Sequence, residues 1–342
     1  MEPPHAATLD LIRDARTRIE PYAKVTPVHT CSTIDHLVAF DAGGPVKVFS
    51  KCETFQKGGA FKYRGAMNAV LQLTEDQRAR GVVTHSSGNH AGALALAART
   101  IGIPAHIVVP EGAPACKLDA IHEYGGIMTR CKATVPDREA TAGRIQRETG
   151  ATLIPPYDHS HVICGQGTIG LEFMEQVPGL DVVLVPVSGG GMIAGVAAAV
   201  KGINENCAVV AAEPCGASTT PRADVAASKA RGRLVSDMPP PDTIADGLRA
   251  KLGALTWPIV RDKVDGVVTV TEPEIVRAMA LIYERMKLVV EPSGAVGLAA
   301  ALSEQFKGFL RARESPEATV RVGVVLCGGN VDLAPLWATY KV

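Results

Sequence analysis

Short runs of aliphatic and β-branched residues recur along this chain, each followed by a longer stretch whose apolar positions return every three or four residues. Leu9, Ile12, Ala15 and Ile19 keep helical spacing up to Pro21, which predicts a short N-terminal helix. Gly81–His85 reads as a buried strand running into Ser86-Ser-Gly-Asn-His90 and then an Ala/Leu-rich helix through Ala98. The alternation continues as strand Ala105–Val109, helix Pro114–Tyr124, strand Ile127–Cys131, helix Asp137–Thr149 closed by Gly150, and strand Ala151–Ile154. A second series has strand Val182–Val187, the loop Ser188-Gly-Gly-Gly-Met192, a small-residue helix to Lys201, and strands Ala208–Ala212, Gly266–Val270 and Val322–Leu326. Thr271 and Glu274 form a capping-box pattern opening a helix with Ile275, Met279, Ile282 and Met286 on one face. This repetition predicts an α/β chain with two open, mostly parallel twisted sheets flanked by helices.

Ligands of such sheets bind beyond the carboxyl ends of the strands, where loops meet helix N-termini. Composition narrows the ligand. The chain has 342 residues, 46% of them hydrophobic, enough for two domains of ordinary size. Its 35 Lys and Arg balance 35 Asp and Glu, so no net field favours nucleic acid or an anionic membrane, and small molecules are the expected partners. No apolar run approaches the roughly 20 residues that span a bilayer. The 8 cysteines are scattered without a Cys-x-x-Cys pair, and the N-terminus carries Glu2, Asp10, Asp14 and Glu20 with no apolar core of a signal peptide. The expected setting is the reducing cytoplasm.

Phe55-Gln-Lys-Gly-Gly-Ala-Phe-Lys-Tyr-Arg-Gly-Ala66 sets Lys62 where a loop becomes a helix. Phe61 and Tyr63 can desolvate its amine, which favours the neutral form and makes it a better nucleophile toward an aldehyde. The plain alternative is a solvated surface lysine. Ser188–Met192 joins glycines, which let backbone N–H groups approach a phosphate, to the positive end of the following helix. It is neither a Walker A loop nor a dinucleotide fingerprint, so on this loop alone phosphate site and tight turn stand level. Ser86–His90 offers hydroxyls, an amide and an imidazole at a helix start, against a plain reading as an N-cap. Two classes of function stay open on these residues: an enzyme with covalent amine chemistry, and a protein that binds a nucleotide or phosphometabolite.

Gly59-Ala-Phe-Lys-Tyr-Arg-Gly-Ala66, Thr84-His-Ser-Ser-Gly-Asn-His90, Gly165-Gln-Gly-Thr168, Pro186-Val-Ser-Gly-Gly-Gly-Met192, Ala212-Glu-Pro214, Thr243-Ile-Ala-Asp-Gly247, Glu291-Pro-Ser-Gly-Ala295 and Cys327-Gly-Gly-Asn-Val-Asp-Leu333 follow one another in this order. Together they resemble the fold-type II pyridoxal-phosphate enzymes, of tryptophan-synthase-β-like fold. Within these they are most similar to the family of serine racemases, serine/threonine dehydratases and threo-3-hydroxyaspartate ammonia-lyases. The resemblance covers nearly the whole chain.

It implies that Lys62 holds pyridoxal 5'-phosphate covalently while Ser188, Gly189, Gly190, Gly191 and Met192 cradle its phosphate. Asn89 would meet the phenolic oxygen, and Ser86, Ser87, Asn89, His90 and Arg138 would line the substrate site. Cys327 would stand beside the pyridine nitrogen, where its plain reading is an inert buried thiol. Lys62 and Ser87 would be the acid–base pair on opposite faces of the substrate. The implied activity is racemisation of L- and D-serine with β-elimination to pyruvate and ammonia. The runner-up is L-threo-3-hydroxyaspartate ammonia-lyase, or L-serine/L-threonine dehydratase without significant racemisation. Residues 1–75 and 156–342 would form a large cofactor-binding domain, residues 76–155 a small domain closing over the substrate, and two chains a homodimer.

The family's divalent-metal site, for Mg²⁺ or Ca²⁺, would use Glu213, the carbonyl of Ala217 and a second carboxylate where Thr219 stands. The threonine leaves it one charge short and weakens it unless Asp224 or water substitutes. Tyr157, Ala250 and Ala60 also depart from the mammalian pattern and point to the plant and microbial branch. ATP activation rests on Lys57 alone, for which an exposed lysine is the simpler account. With the chain ending at Val342, a regulatory domain for feedback by isoleucine is not expected.

Overall fold

The computed structural model describes residues 6–86, 88–113, 115–217, 222–312 and 318–332. In chain order its first elements are α1 (Leu9–Ile19), β1 (Val28–His29), α2 (Ser32–Ala39), β2 (Val46–Cys52), α3 (Lys62–Leu71), α4 (Glu75–Arg80), β3 (Val82–His85), α5 (Asn89–Ile101), β4 (Ala105–Pro110), α6 (Ala115–Glu123), β5 (Ile127–Cys131), α7 (Val135–Thr149) and β6 (Thr152–Leu153). There follow α8 (Ser160–Gln176), β7 (Val182–Pro186), α9 (Gly191–Ile203), β8 (Ala208–Pro214), α10 (Asp224–Arg231), α11 (Thr256–Lys263), β9 (Gly266–Val270), α12 (Glu272–Leu281), α13 (Pro292–Leu302), α14 (Glu304–Arg311) and β10 (Val320–Leu326).

Two sheets organise these elements, as the strand and helix periodicities predict. A six-stranded sheet has the order β1-β2-β10-β7-β8-β9, and a four-stranded sheet the order β5-β4-β3-β6. Pairing is parallel except for β1 against β2. The central strands of the larger sheet are buried on both faces, and successive side chains divide between two cores. Val182 and Leu184 pack with Val296 and Ala299 of α13, whereas Val183 and Val185 pack with Ile193 and Val196 of α9. The smaller sheet repeats the arrangement. Val82 and Ile107 face the alanine-rich side of α5, and Val83 and Val108 face Ala142 and Ile145 of α7.

Most boundaries move by one to three residues from the sequence reading, and three of the differences have clear local reasons. The helix expected from Asp137 begins at Val135, because Thr134 caps it by accepting from Asp137 N at 3.2 Å and Pro136 fits the first turn. The strand expected over Ala151–Ile154 shrinks to Thr152–Leu153, which pairs only with Val82 and Val83 at a sheet edge. The helix opened by Thr271 changes to a π-helical turn over Ile282–Met286, closed by Lys287 at φ +59°. Ile275, Met279, Ile282 and Met286 nonetheless stay buried on one face. Glu274 accepts from Thr271 N at 2.7 Å, as the capping-box pattern requires.

Candidate active site

Lys62 opens α3. The turn before it is pinned to the end of β10: Phe61 N donates to Cys327 O at 3.1 Å, and Ala60 bridges to Gly328. Lys62 Nζ donates to Pro156 O at 2.6 Å and lies 5.0 Å from the centre of the Phe61 ring. Burial pulls this amine down from the usual lysine value of 10.5 to about 8, with neighbouring Cys327 opposing the shift. The reading of a solvated surface lysine therefore fails. A sizeable neutral fraction near neutral pH is what attack on an aldehyde needs.

Cys327 follows β10 and is 3% exposed. Its Sγ donates to Ser293 O at 3.3 Å, and burial, reinforced by Glu291, pushes the thiol far above the ordinary range. It stays neutral at working pH. Glu291 has no role in the sequence reading beyond its place in Glu291–Ala295, yet it is a central member of the site. It caps α13, is 2% exposed, and accepts from Asn89 Nδ2 at 2.5 Å. Burial, with Asp246 nearby, pushes it up to about 7, against the pull of Asn89 and Lys117. Lys117 and Asp246 form an ion pair between the segment carrying α6 and the loop before α11. The second arm of Asn89, Oδ1, accepts from Asn330 Nδ2 at 2.9 Å.

The glycine loop is a backbone cradle in the strict sense that side chains have no room in it. A Cβ on Gly189 would run into the Tyr157 ring, and one on Gly191 would stand 2.9 Å from Tyr157 Cα. Gly190, at φ +88°, is closed in by Leu252 and Thr256. Ser188 Oγ donates to Ala250 O and accepts from Ala250 N, both at 2.8 Å, and Thr256 Oγ1 donates to Gly189 O at 2.8 Å. Asp158 fixes the adjoining loop by accepting from Ala254 N, Leu255 N and Thr256 N at 2.8 to 3.2 Å. The first turn of α9 and the glycine N–H groups form a site for a dianion without a lysine. Met192, behind the cradle, is buried in the core.

From the smaller sheet, Ser86 Oγ accepts from Gly88 N at 3.4 Å, and Asn89 begins α5. Ser87 lies outside the described residues. His90 is 2% exposed and its Nε2 meets Ile154 O at 2.9 Å, so Nε2 carries the hydrogen. Its Nδ1 is then a bare buried acceptor without a protein partner. Burial and the charge of Lys62 hold the ring down at about 3, so it is neutral. Arg138, on α7, lies near His85 and Cys131, and its buried Nε also has no partner.

The expected metal ligands look different. Glu213 Oε1 and Oε2 accept from Val225 N and Ala226 N, both at 2.9 Å, so this carboxylate caps α10. Burial pushes it up to about 8. Ala217 N donates to Asp242 O at 2.7 Å, and Thr219 lies outside the described residues. Among the described residues no group of three or more His, Cys, Asp or Glu converges on a metal position. Lys57 stands over the Tyr63 ring at 5.7 Å.

A desolvated amine, a neutral thiol and a side-chain-free anion cradle around one cleft match the needs of an aldehyde cofactor carrying a phosphate. The family model for pyridoxal-phosphate-dependent enzymes matches residues 19–328. This chain belongs to that family. Among curated pyridoxal-phosphate relatives, serine racemase of Oryza sativa subsp. indica is 50% identical over 338 residues, covering 98% of this chain and 95% of its own. Among solved structures, maize serine racemase superposes with a TM-score of 0.90 at 50% identity, over 98% of each chain. The T.th. threonine deaminase superposes with a TM-score of 0.85 at 37% identity, covering 96% of this chain and 100% of its own. The residues present fit such a cofactor: Lys62 could hold its aldehyde and the loop 188–192 its phosphate. Among the described residues no helix is long and apolar enough to cross a membrane.

Proposed function

We propose that this chain interconverts L- and D-serine and, in a competing branch, eliminates water from serine to give pyruvate and ammonia. One observation carries the reading: Lys62, its amine brought to about 8 by burial, sits beside the un-ionised thiol of Cys327 in a chain that matches serine racemases along its length. Bound pyridoxal phosphate supplies an electron-poor ring that loosens the α-proton of an amino acid. The Gly189–Gly191 amides and the start of α9 hold the phosphate. Lys62 Nζ, released from Pro156 O, takes the α-proton on one face and can return it. Ser87 Oγ holds the proton for the opposite face and so makes the enantiomer. The neutral Cys327 would offer the ring nitrogen no anionic partner, so the electron sink would be modest and loss of the β-hydroxyl could compete. Asn89, clamped by Glu291, would meet the cofactor's phenolic oxygen. Ser86, the free N–H groups at Asn89 and His90, and Arg138 receive the substrate carboxylate.

The likeness to a threonine deaminase supports the second reading, a serine/threonine dehydratase or L-threo-3-hydroxyaspartate ammonia-lyase without significant racemisation. One experiment separates them: L-serine and pyridoxal phosphate are incubated with the protein while D-serine is followed by chiral chromatography and pyruvate in parallel. D-serine that disappears in Ser87→Ala while pyruvate persists supports the racemase; pyruvate alone from the unaltered chain supports the lyase.

Three further parts of the reading rest on the family. The smaller sheet, with residues 76–155, closes over substrate as a unit of its own. The active species is a cytoplasmic homodimer. Mg²⁺ or Ca²⁺ binds weakly at Glu213 and the Ala217 carbonyl, because a cation there competes with the two α10 amides. An unchanged thermal midpoint on adding either cation to chelator-treated protein would remove the metal from the scheme.

A further inference from the structure

The charged side chains that this chemistry leaves unused gather under the first turn of α3. Arg64, Lys51 and Glu53 are fully buried and Glu172 is 3% exposed. Arg64 lays its guanidinium across both acids. Nε and Nη2 reach Glu53 at 2.8 and 2.9 Å, while Nη1 and Nη2 reach Glu172 at 2.6 and 2.8 Å. Lys51 Nζ donates to Glu172 at 2.8 Å, to Gln176 at 2.7 Å and to Thr26 O at 2.8 Å. Burial alone would raise Glu172, yet the hydrogen bonds and charges of Arg64 and Lys51 bring it below the usual carboxylate value. Two cations and two carboxylates therefore cancel in a site closed to water.

Clusters of this kind are poor stabilisers, since apolar side chains of similar volume often serve as well. Its position is more informative than its strength. Arg64 is two residues beyond Lys62 on a helix whose first turn has no side-chain cap and no acid. The cluster fastens that turn to β2, to the turn at Glu53 and to α8. The flank is equally tight: a Cβ on Gly165 would stand 2.6 Å from Arg64 O, and Gly65 N donates to Gln166 Oε1 at 3.2 Å. The Lys62 amine must exchange the Pro156 carbonyl for other partners, and its reach is constant only if the helix start stays fixed.

We propose that Arg64, held by Glu53, Glu172 and Lys51, is the positioning residue for Lys62. The inference rests on Lys62 being the reacting amine. Arg64→Lys keeps the charge and loses the planar fork. Two quantities beside turnover report on it: the thermal midpoint, and the pH dependence of pyridoxal-phosphate capture by the cofactor-free protein, trapped with borohydride and mapped to Lys62. The expected result is a capture profile displaced by roughly one pH unit, with kcat per bound cofactor down roughly 100-fold and KM within about threefold. A lower thermal midpoint with the parent's capture profile and kcat would mean that the cluster only stabilises, and overturns the proposal. Should Arg64→Lys not fold, Thr168→Val decides, because it keeps every charge of the cluster and removes the 3.2 Å bond from Arg64 Nη1 together with one intrahelical bond, from Thr168 Oγ1 to Gly165 O at 2.7 Å. It must displace the profile in the same sense by less, and an undisplaced profile there is failure. No trapping at Lys62 in the unaltered chain would instead sink the functional reading itself.

Discussion

Glu172 and Glu291 are both almost wholly removed from water, and they end up in opposite states. Glu172 meets the guanidinium of Arg64 and the ammonium of Lys51 and stays below the ordinary carboxylate value. Among the described residues Glu291 has the amide of Asn89, at 2.5 Å, as its hydrogen-bond partner, with no cation in contact, and is pushed up to about 7. Burial is nearly the same, so the partner decides. A cation makes a buried carboxylate a permanent charge; an amide leaves it able to take or give a proton within the working pH range. The permanent charges lie under the helix that carries Lys62, and the adjustable one lies in the cleft with Cys327.

The comparison is broken most severely by removing the cation. Arg64→Met leaves Glu53 with only the Thr26 hydroxyl, at 2.6 Å, and Glu172 without its guanidinium, and urea unfolding should show a loss of about 3–5 kcal/mol. Glu291 gives the next largest effect, and its sign is opposite to that of a salt-bridged acid. The folded value, about 7, lies above the ordinary 4.5, so the folded chain holds a proton that the unfolded chain releases. Stability is fully present below about 4.5 and falls as pH rises to about 7, by at most about 3 kcal/mol. Glu291→Gln keeps an oxygen for Asn89 and should flatten that slope in the same unfolding series. The smallest effect is expected at the surface. Arg144 and Glu148 pair at 2.7 Å with both side chains about half exposed, and Arg144→Ala should cost no more than about 0.5 kcal/mol. A larger loss there would mean that proximity alone, without burial, stabilises this fold.

The strands and helices between Gly81 and Ala212 were largely legible because the central strands, such as Val182–Pro186, are short apolar runs and helices such as α7 keep a polar outer face. α8 was not. Its Gly165, Gly167 and Gly170 argue against a helix on propensity, and the helix is buried on nearly all sides, which erases the 3.6-residue rhythm. Those glycines make sense only with the neighbouring helices present: a Cβ on Gly195 of α9 would stand 2.6 Å from Gly167 N. In the site, local pattern singled out Lys62 and the loop Ser188–Met192, a loop-to-helix lysine and a glycine run, but left their roles open, and only the resemblance of the whole set of motifs assigned them. The Glu291–Asn89 bond joins residues 202 apart in sequence, and no local pattern announces it. The motif around Glu291 marked the place without revealing the partner. Glu213 read as a metal ligand or a structural carboxylate, and its two bonds to α10 are of the second kind.

Gly65 and Gly165 bring α3 and α8 together backbone to backbone beside the start of the helix that carries Lys62. For protein engineering this divides the cleft into a part that can be redesigned and a part that cannot. Tyr157, whose ring covers Gly189, and Ala250, whose main chain bonds Ser188, flank the glycine loop as its walls, where side-chain changes alter shape without driving one main chain into another. A methyl group on either glycine would prise the two helices apart and carry Lys62 with them. Changes of substrate in descendants of this chain therefore have to be written on the walls, over a floor that is inherited whole.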